Sequence, residues 1–100
     1  MNHVEVFEFK LKNVENTDEI VINARRFAEA LSKIPGIKQN QFLMDQEDDL
    51  KLWQIVEWTD VQAAKAGQRL VFALPEMSLF SYFLAMPPRR VGNWHSLARY

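Results

Sequence analysis

Along residues 4–12 apolar and polar side chains alternate, placing Phe7, Phe9 and Leu11 on one side and Glu8, Lys10 and Lys12 on the other. A period of two is that of a β-strand whose faces meet different surroundings. Residues 13–16 are turn-like, and Asn16 or Thr17 can cap a helix whose first turn carries Asp18 and Glu19, acids favoured at the positive end of the helix dipole. Ile20, Ala24, Phe27, Leu31 and Ile34 then recur at spacings of four and three, forming one apolar helical stripe. Pro35-Gly36 ends it, since proline cannot continue the hydrogen-bond ladder and glycine accepts the left-handed conformation of a C-terminal cap. Residues 37–44 and 50–58 read as two strands joined by the acidic turn 45–49. In the later strand Leu50, Leu52, Val56 and Trp58 share one face while Trp53 and Ile55 share the other, so both faces require cover. Asp60 can cap a helix over residues 61–74, and Pro75 suits the first turn of a further helical piece bearing Leu79, Phe80, Phe83 and Leu84. A break is expected near Pro75. Pro87-Pro88-Arg89-Arg90 is expected to form a stiff connector, and residues 91–100 a last strand.

Strand, helix, strand, strand, helix, strand is the split βαβ order of an α+β, ferredoxin-like βαββαβ domain, with both helices on one face of an antiparallel sheet. One such domain spans residues 1–100. Its second sheet face is left without a helix, and a second copy of the chain is the economical cover. Two sheets meeting face to face would bury about 800 Å² per subunit or more.

Composition narrows the chemistry. With 48% hydrophobic and 25% charged residues the chain is globular, and its twelve aromatic residues are a heavy load for this length. The net charge of -1 offers no field to gather nucleic acid or anionic lipid, so neither partner is expected. Zero cysteines exclude disulfides, thiolate nucleophiles and Cys-ligated metals. The glycines stand isolated at 36, 67 and 92, which leaves no phosphate cradle. His3 and His95 lack a carboxylate at ligand spacing, and the acidic turn lacks the glycine and terminal Glu of an EF-hand, so no metal is expected. Neither a secretory leader pattern nor an apolar run of the roughly 18 to 20 residues that cross a bilayer is present, and the expected compartment is the cytoplasm.

The run Leu52-Trp53-Gln54-Ile55-Val56-Glu57-Trp58-Thr59-Asp60-Val61-Gln62-Ala63 is a strand closing on Glu-Trp and passing through Thr-Asp into an Ala-rich helix. It resembles the middle of the dimeric α+β barrel proteins, particularly the antibiotic-biosynthesis monooxygenase-like group, and Ile34-Pro35-Gly36-Ile37 is similar to that group's junction of helix and strand. The resemblance spans roughly residues 4–84 and implies a homodimer joined through sheet faces. It also implies one of several activities: cofactor-independent oxygenation of polycyclic phenols or quinones, haem degradation, isomerisation, or none. The haem-degrading branch fits least, because Gly67 falls about where that branch carries a Trp and no His lies between His3 and His95.

For a cofactor-free oxygenase the substrate supplies the electrons as an enolate or phenolate, and the protein dehydrates, orients and stabilises that anion. The residues available to do so are aromatic and polar. His95 ranks first as general base, being the imidazole within a predicted strand, followed by Tyr82 and Trp94 as donors. Trp53, Trp58, Phe72, Phe80 and Phe83 are the expected substrate-binding set, with Asn40 and Asn93 as hydrogen-bond partners. At these spacings Trp58, Phe72, Phe80 and Phe83 are more often core than ligand wall. Arg89 and Arg90 could grip an acidic substrate, or simply lie in a solvated connector or dimer rim. The expectation is a cofactor-free, monooxygenase-like protein binding a small aromatic or quinone-like compound. The alternative is a non-catalytic dimer of the same fold, acting as a ligand sensor or an assembly piece.

Overall fold

The computed structural model describes residues 2–98 and runs β1 (His3–Lys10), α1 (Thr17–Ser32), β2 (Ile37–Met44), β3 (Lys51–Trp58), α2 (Val61–Ala73), α3 (Pro75–Ser81) and β4 (Arg89–His95). The strands form one antiparallel sheet in the order β2-β3-β1-β4. This is the expected βαββαβ layout, with its second helix broken in two where Leu74 turns extended (ψ 130) ahead of Pro75. Among the described residues, no helix is long and apolar enough to cross a membrane.

Local chemistry sets the element ends. The Asp60 carboxylate accepts the Ala63 N–H at 2.8 Å and caps α2. Asn16 holds the N-cap position of α1 without a side-chain bond, while the Thr17 hydroxyl donates to the Val14 carbonyl. Gly36 has φ 92, and a Cβ there would stand 2.6 Å from the Ala63 Cβ, so this turn needs glycine for its backbone and for the approach of α2.

Cross-strand partners share a face. His3, Glu5, Phe7 and Phe9 of β1 lie opposite Trp58, Val56, Gln54 and Leu52 of β3, on the side the helices cover. There α1 buries Ile20, Ala24, Phe27 and Leu31, the expected stripe. Phe9, Phe27, Phe42 and Phe80 meet above the sheet with ring centroids 5.5–6.0 Å apart. The other sheet face bears Val4, Val6, Trp53, Ile55 and Trp94 and has no helix over it.

The two ends of β4 differ most from expectation. Arg89 and Arg90 belong to β4 rather than to a connector, because they pair with Glu8 and Phe7 and their guanidinium groups reach Glu8 (3.5 Å) and Glu5 (3.2 Å). A bulge absorbs Val91, and β4 ends at His95, so the expected strand over 91–100 is shorter at its far end; residues 99 and 100 lie outside the described residues. Glu8 does lie on the polar side of β1, but it is buried, with Lys51 Nζ at 3.4 Å and Arg89 beside it.

Candidate functional site

The most polar place on the helix side is built around Glu5. Its carboxylate is 1% exposed and accepts three hydrogen bonds: from Trp58 Nε1 at 2.8 Å, Arg90 Nη1 at 3.2 Å and Gln68 Nε2 at 3.3 Å. Burying an ion without partners costs several kcal/mol or more, so this donor set is what allows Glu5 to stand in the apolar register of β1. Each donor comes from a different element: Trp58 from the end of β3, Gln68 from the middle of α2 and Arg90 from β4. Gly67 makes room for the indole, since a Cβ there would lie 2.3 Å from Trp58 Cζ3. The Arg90 side chain is half exposed, so the cluster reaches solvent along β4.

His3 sits one alternation from Glu5, opposite Trp58, and is buried with its Nδ1 unpartnered. The exposed ring of His95 stands edge-on to it, centroids 6.0 Å apart. Trp58, His3 and His95 thus form one row across the sheet, with Val56, Glu5 and Asn93 in the next. The groups of this arrangement that reach solvent along β4 are the half-exposed Arg90 guanidinium and the exposed His95 ring.

The remaining expected site residues go elsewhere. Tyr82, 74% exposed, follows α3 near the Leu11 end of β1, whereas His95 lies at the His3 end. An eight-residue strand separates them, about 25 Å. Trp94 falls on the uncovered face because neighbours in a strand point to opposite sides; its indole lies over Gly92, where a Cβ would be 2.8 Å away. Trp53 shares that face, donating Nε1–H to Asp45 Oδ2 at 2.9 Å with Lys51 Nζ 5.5 Å from its ring centroid. The Trp53 N–H, followed by the Glu47 backbone N–H, holds the Asp45 carboxyl below its ordinary value. Phe72 is exposed on α2, while Phe80 is wholly buried and Phe83 packs against it. Asn40 donates to the Ala28 carbonyl at 3.2 Å, and Asn93 is exposed. These side chains therefore do not converge on one chamber within the chain. Of the expected residues, Trp58 and Arg90 belong to the Glu5 cluster, and His95 stands against His3, one alternation away.

Reading the residues one strand at a time missed Glu5, Gln68 and the inward role of Arg90. The signal was present in β1, where Glu5 occupies the same parity as Phe7 and Phe9. A charge in an apolar register is a buried charge, and a buried charge has partners.

No protein-family model and no curated protein matches the sequence. Solved structures do match over nearly the whole chain. A protein from Bordetella bronchiseptica provisionally named an antibiotic biosynthesis monooxygenase superposes with TM-score 0.81 at 11% identity, over 97% of this chain and 98% of that one. An antibiotic biosynthesis monooxygenase superposes at 0.71 with 19% identity, over 98% and 100%. SnoaB, a cofactor-independent oxygenase from Streptomyces nogalater, superposes at 0.70 with 18% identity, over 98% and 95%. The chain has the antibiotic biosynthesis monooxygenase fold. At these identities the likeness is one of architecture, and the chemistry must be argued from this chain's own residues.

Proposed function

We propose that two chains pair through their uncovered sheet faces and that each binds a small aromatic or quinone-like compound at the β1–β4 edge, oxidising it with molecular oxygen and without metal or flavin. The observation that carries this reading is the buried Glu5 carboxylate. It holds the Trp58 indole, which lies in the row of His3 and His95, and the half-exposed Arg90 guanidinium further along β4, giving polar groups along this edge for a ligand hydroxyl. The likeness to SnoaB, described as a cofactor-independent oxygenase, supports the reaction class.

In this scheme His95 takes the proton of the ligand's acidic group, and Arg90 balances the resulting enolate or phenolate. The anion supplies the electrons to oxygen. For an anthrone, one oxygen atom becomes the new ring carbonyl and the other leaves as water with the two methylene hydrogens, giving an anthraquinone. Pairing is supported by the uncovered face, where Leu43 and Trp94 are 41% and 52% exposed beside Val4, Val6 and Ile55.

Sedimentation at micromolar concentration is expected to give a two-chain species, and oxygen uptake with anthrone to match anthraquinone formed one for one. A lone monomer would refute the pairing. Saturable anthrone binding without uptake would favour the second reading, a non-catalytic ligand-binding dimer.

A further inference from the structure

A cleft of about 300 Å³ opens between α1 and the edge strand β2, well away from Glu5. Its lining includes Phe42, Met44 and Leu52 from the sheet and Val21, Ala24, Arg25 and Ala28 from α1. Its origin is local: Ala24 and Ala28 lie one turn apart on the same side of α1, so the helix presents methyl groups where larger side chains would close the gap. Its size is at the lower end of small-molecule sites, and its lining is apolar apart from one charge. That charge is Arg25, which is exposed and forms no ion pair or side-chain hydrogen bond among the described residues. Glu29, one turn further along α1, borders a different groove with Arg26 and Lys33.

We propose that this cleft binds a small apolar carboxylic acid, its hydrocarbon body against Phe42 and Leu52 and its carboxylate on Arg25. The guanidinium is the group that matches a planar carboxylate with two parallel N–H donors. A neutral or cationic ligand of the same shape would leave that cation unused or repelled. The site is independent of the β1–β4 edge: it lies on the opposite border of the sheet and shares no residue with the Glu5 cluster.

Calorimetric titration with 1-naphthoate and its neutral isostere 1-naphthamide tests the assignment. Wild type is expected to prefer the acid about fivefold, as suits an ion pair at a solvent-exposed mouth, and added salt should erode the preference. Arg25→Gln should abolish the preference by weakening naphthoate more than naphthamide. Val21→Glu, which sets a carboxylate in the cleft wall four residues before Arg25, should weaken naphthoate more than naphthamide. Ala28→Phe should weaken both ligands by filling the cleft. Amide NMR shifts in the wild type, which require no variant, should centre on Ala24, Ala28 and Met44. Equal affinity for acid and amide, shifts centred near Glu5 or on the uncovered face, or no saturable binding at millimolar ligand would overturn the proposal. So would naphthoate affinity that falls as protein concentration rises, because a second copy would then be the occupant.

Discussion

Gly67→Ala tests the packing that holds the Glu5 cluster. In an exposed helix interior this change stabilises by about 1 kcal/mol, because glycine loses more backbone freedom on folding. Here the new methyl would stand 2.3 Å from Trp58 Cζ3 and 2.5 Å from Cη2, whereas carbon atoms settle at about 3.5–4.0 Å. The overlap exceeds an ångström and must be relieved by moving α2 or turning the indole. Turning it breaks the 2.8 Å bond to Glu5. Overpacking costs about 1–3 kcal/mol, and loss of a hydrogen bond to a charged group about 1.5–3 kcal/mol. Because relief of the clash sacrifices one or the other, about 2 kcal/mol against a gain of about 1 leaves a net loss of about 1 kcal/mol. With a urea m-value of about 1 kcal/mol/M, the midpoint should fall by about 1 M. Urea unfolding followed by tryptophan fluorescence, at one fixed protein concentration, measures it. The partner variant Trp58→Phe removes the atoms that clash, so adding Gly67→Ala in that background should be neutral or slightly stabilising, a coupling a double-mutant cycle reads directly. A Gly67→Ala protein as stable as wild type would refute the reasoning.

Three further outcomes are expected. Glu5→Leu should lower stability by about 2 kcal/mol or more, since it leaves the Trp58 indole N–H buried without an acceptor, while Glu5→Gln keeps an acceptor and should cost less; urea midpoints compare them. The Asp45 carboxyl, held low by Trp53 and the turn backbone, contributes stability that is present above the ordinary carboxylate range and lost as pH falls through its depressed value. Asp45→Asn should therefore be less stable than wild type at neutral pH, and the gap should close in strong acid; a gap unchanged by acid would count against this. Ile55→Asp places a charge in the centre of the uncovered face and should weaken pairing by about 2 kcal/mol or more, converting the two-chain species to monomer in sedimentation without lowering helix content.

Much of the fold is legible along the chain because its signals are local. The stripe from Ile20 to Leu31, the Asp60 cap, the Gly36 turn and the break before Pro75 each depend on residues within a turn or two, and each stands where the pattern puts it. The two-sided apolar character of β3 likewise follows from alternation alone.

The site is another matter, since its members are brought together by strand pairing over long separations. Glu5 meets Trp58 across 53 residues and Arg90 across 85, and no local pattern encodes either contact. Tertiary structure also divided residues that look alike in sequence. Trp94 and His95 are neighbours in the chain yet lie on opposite sheet faces, and Tyr82 lies a full strand length from His95. What the sequence by itself determined was which faces are apolar, because periodicity of two and of 3.6 is a property of the backbone. Which charges those faces bury, and what holds them there, was decided only when α2 and β4 closed on β1, because a buried ion is defined by partners that distant segments supply.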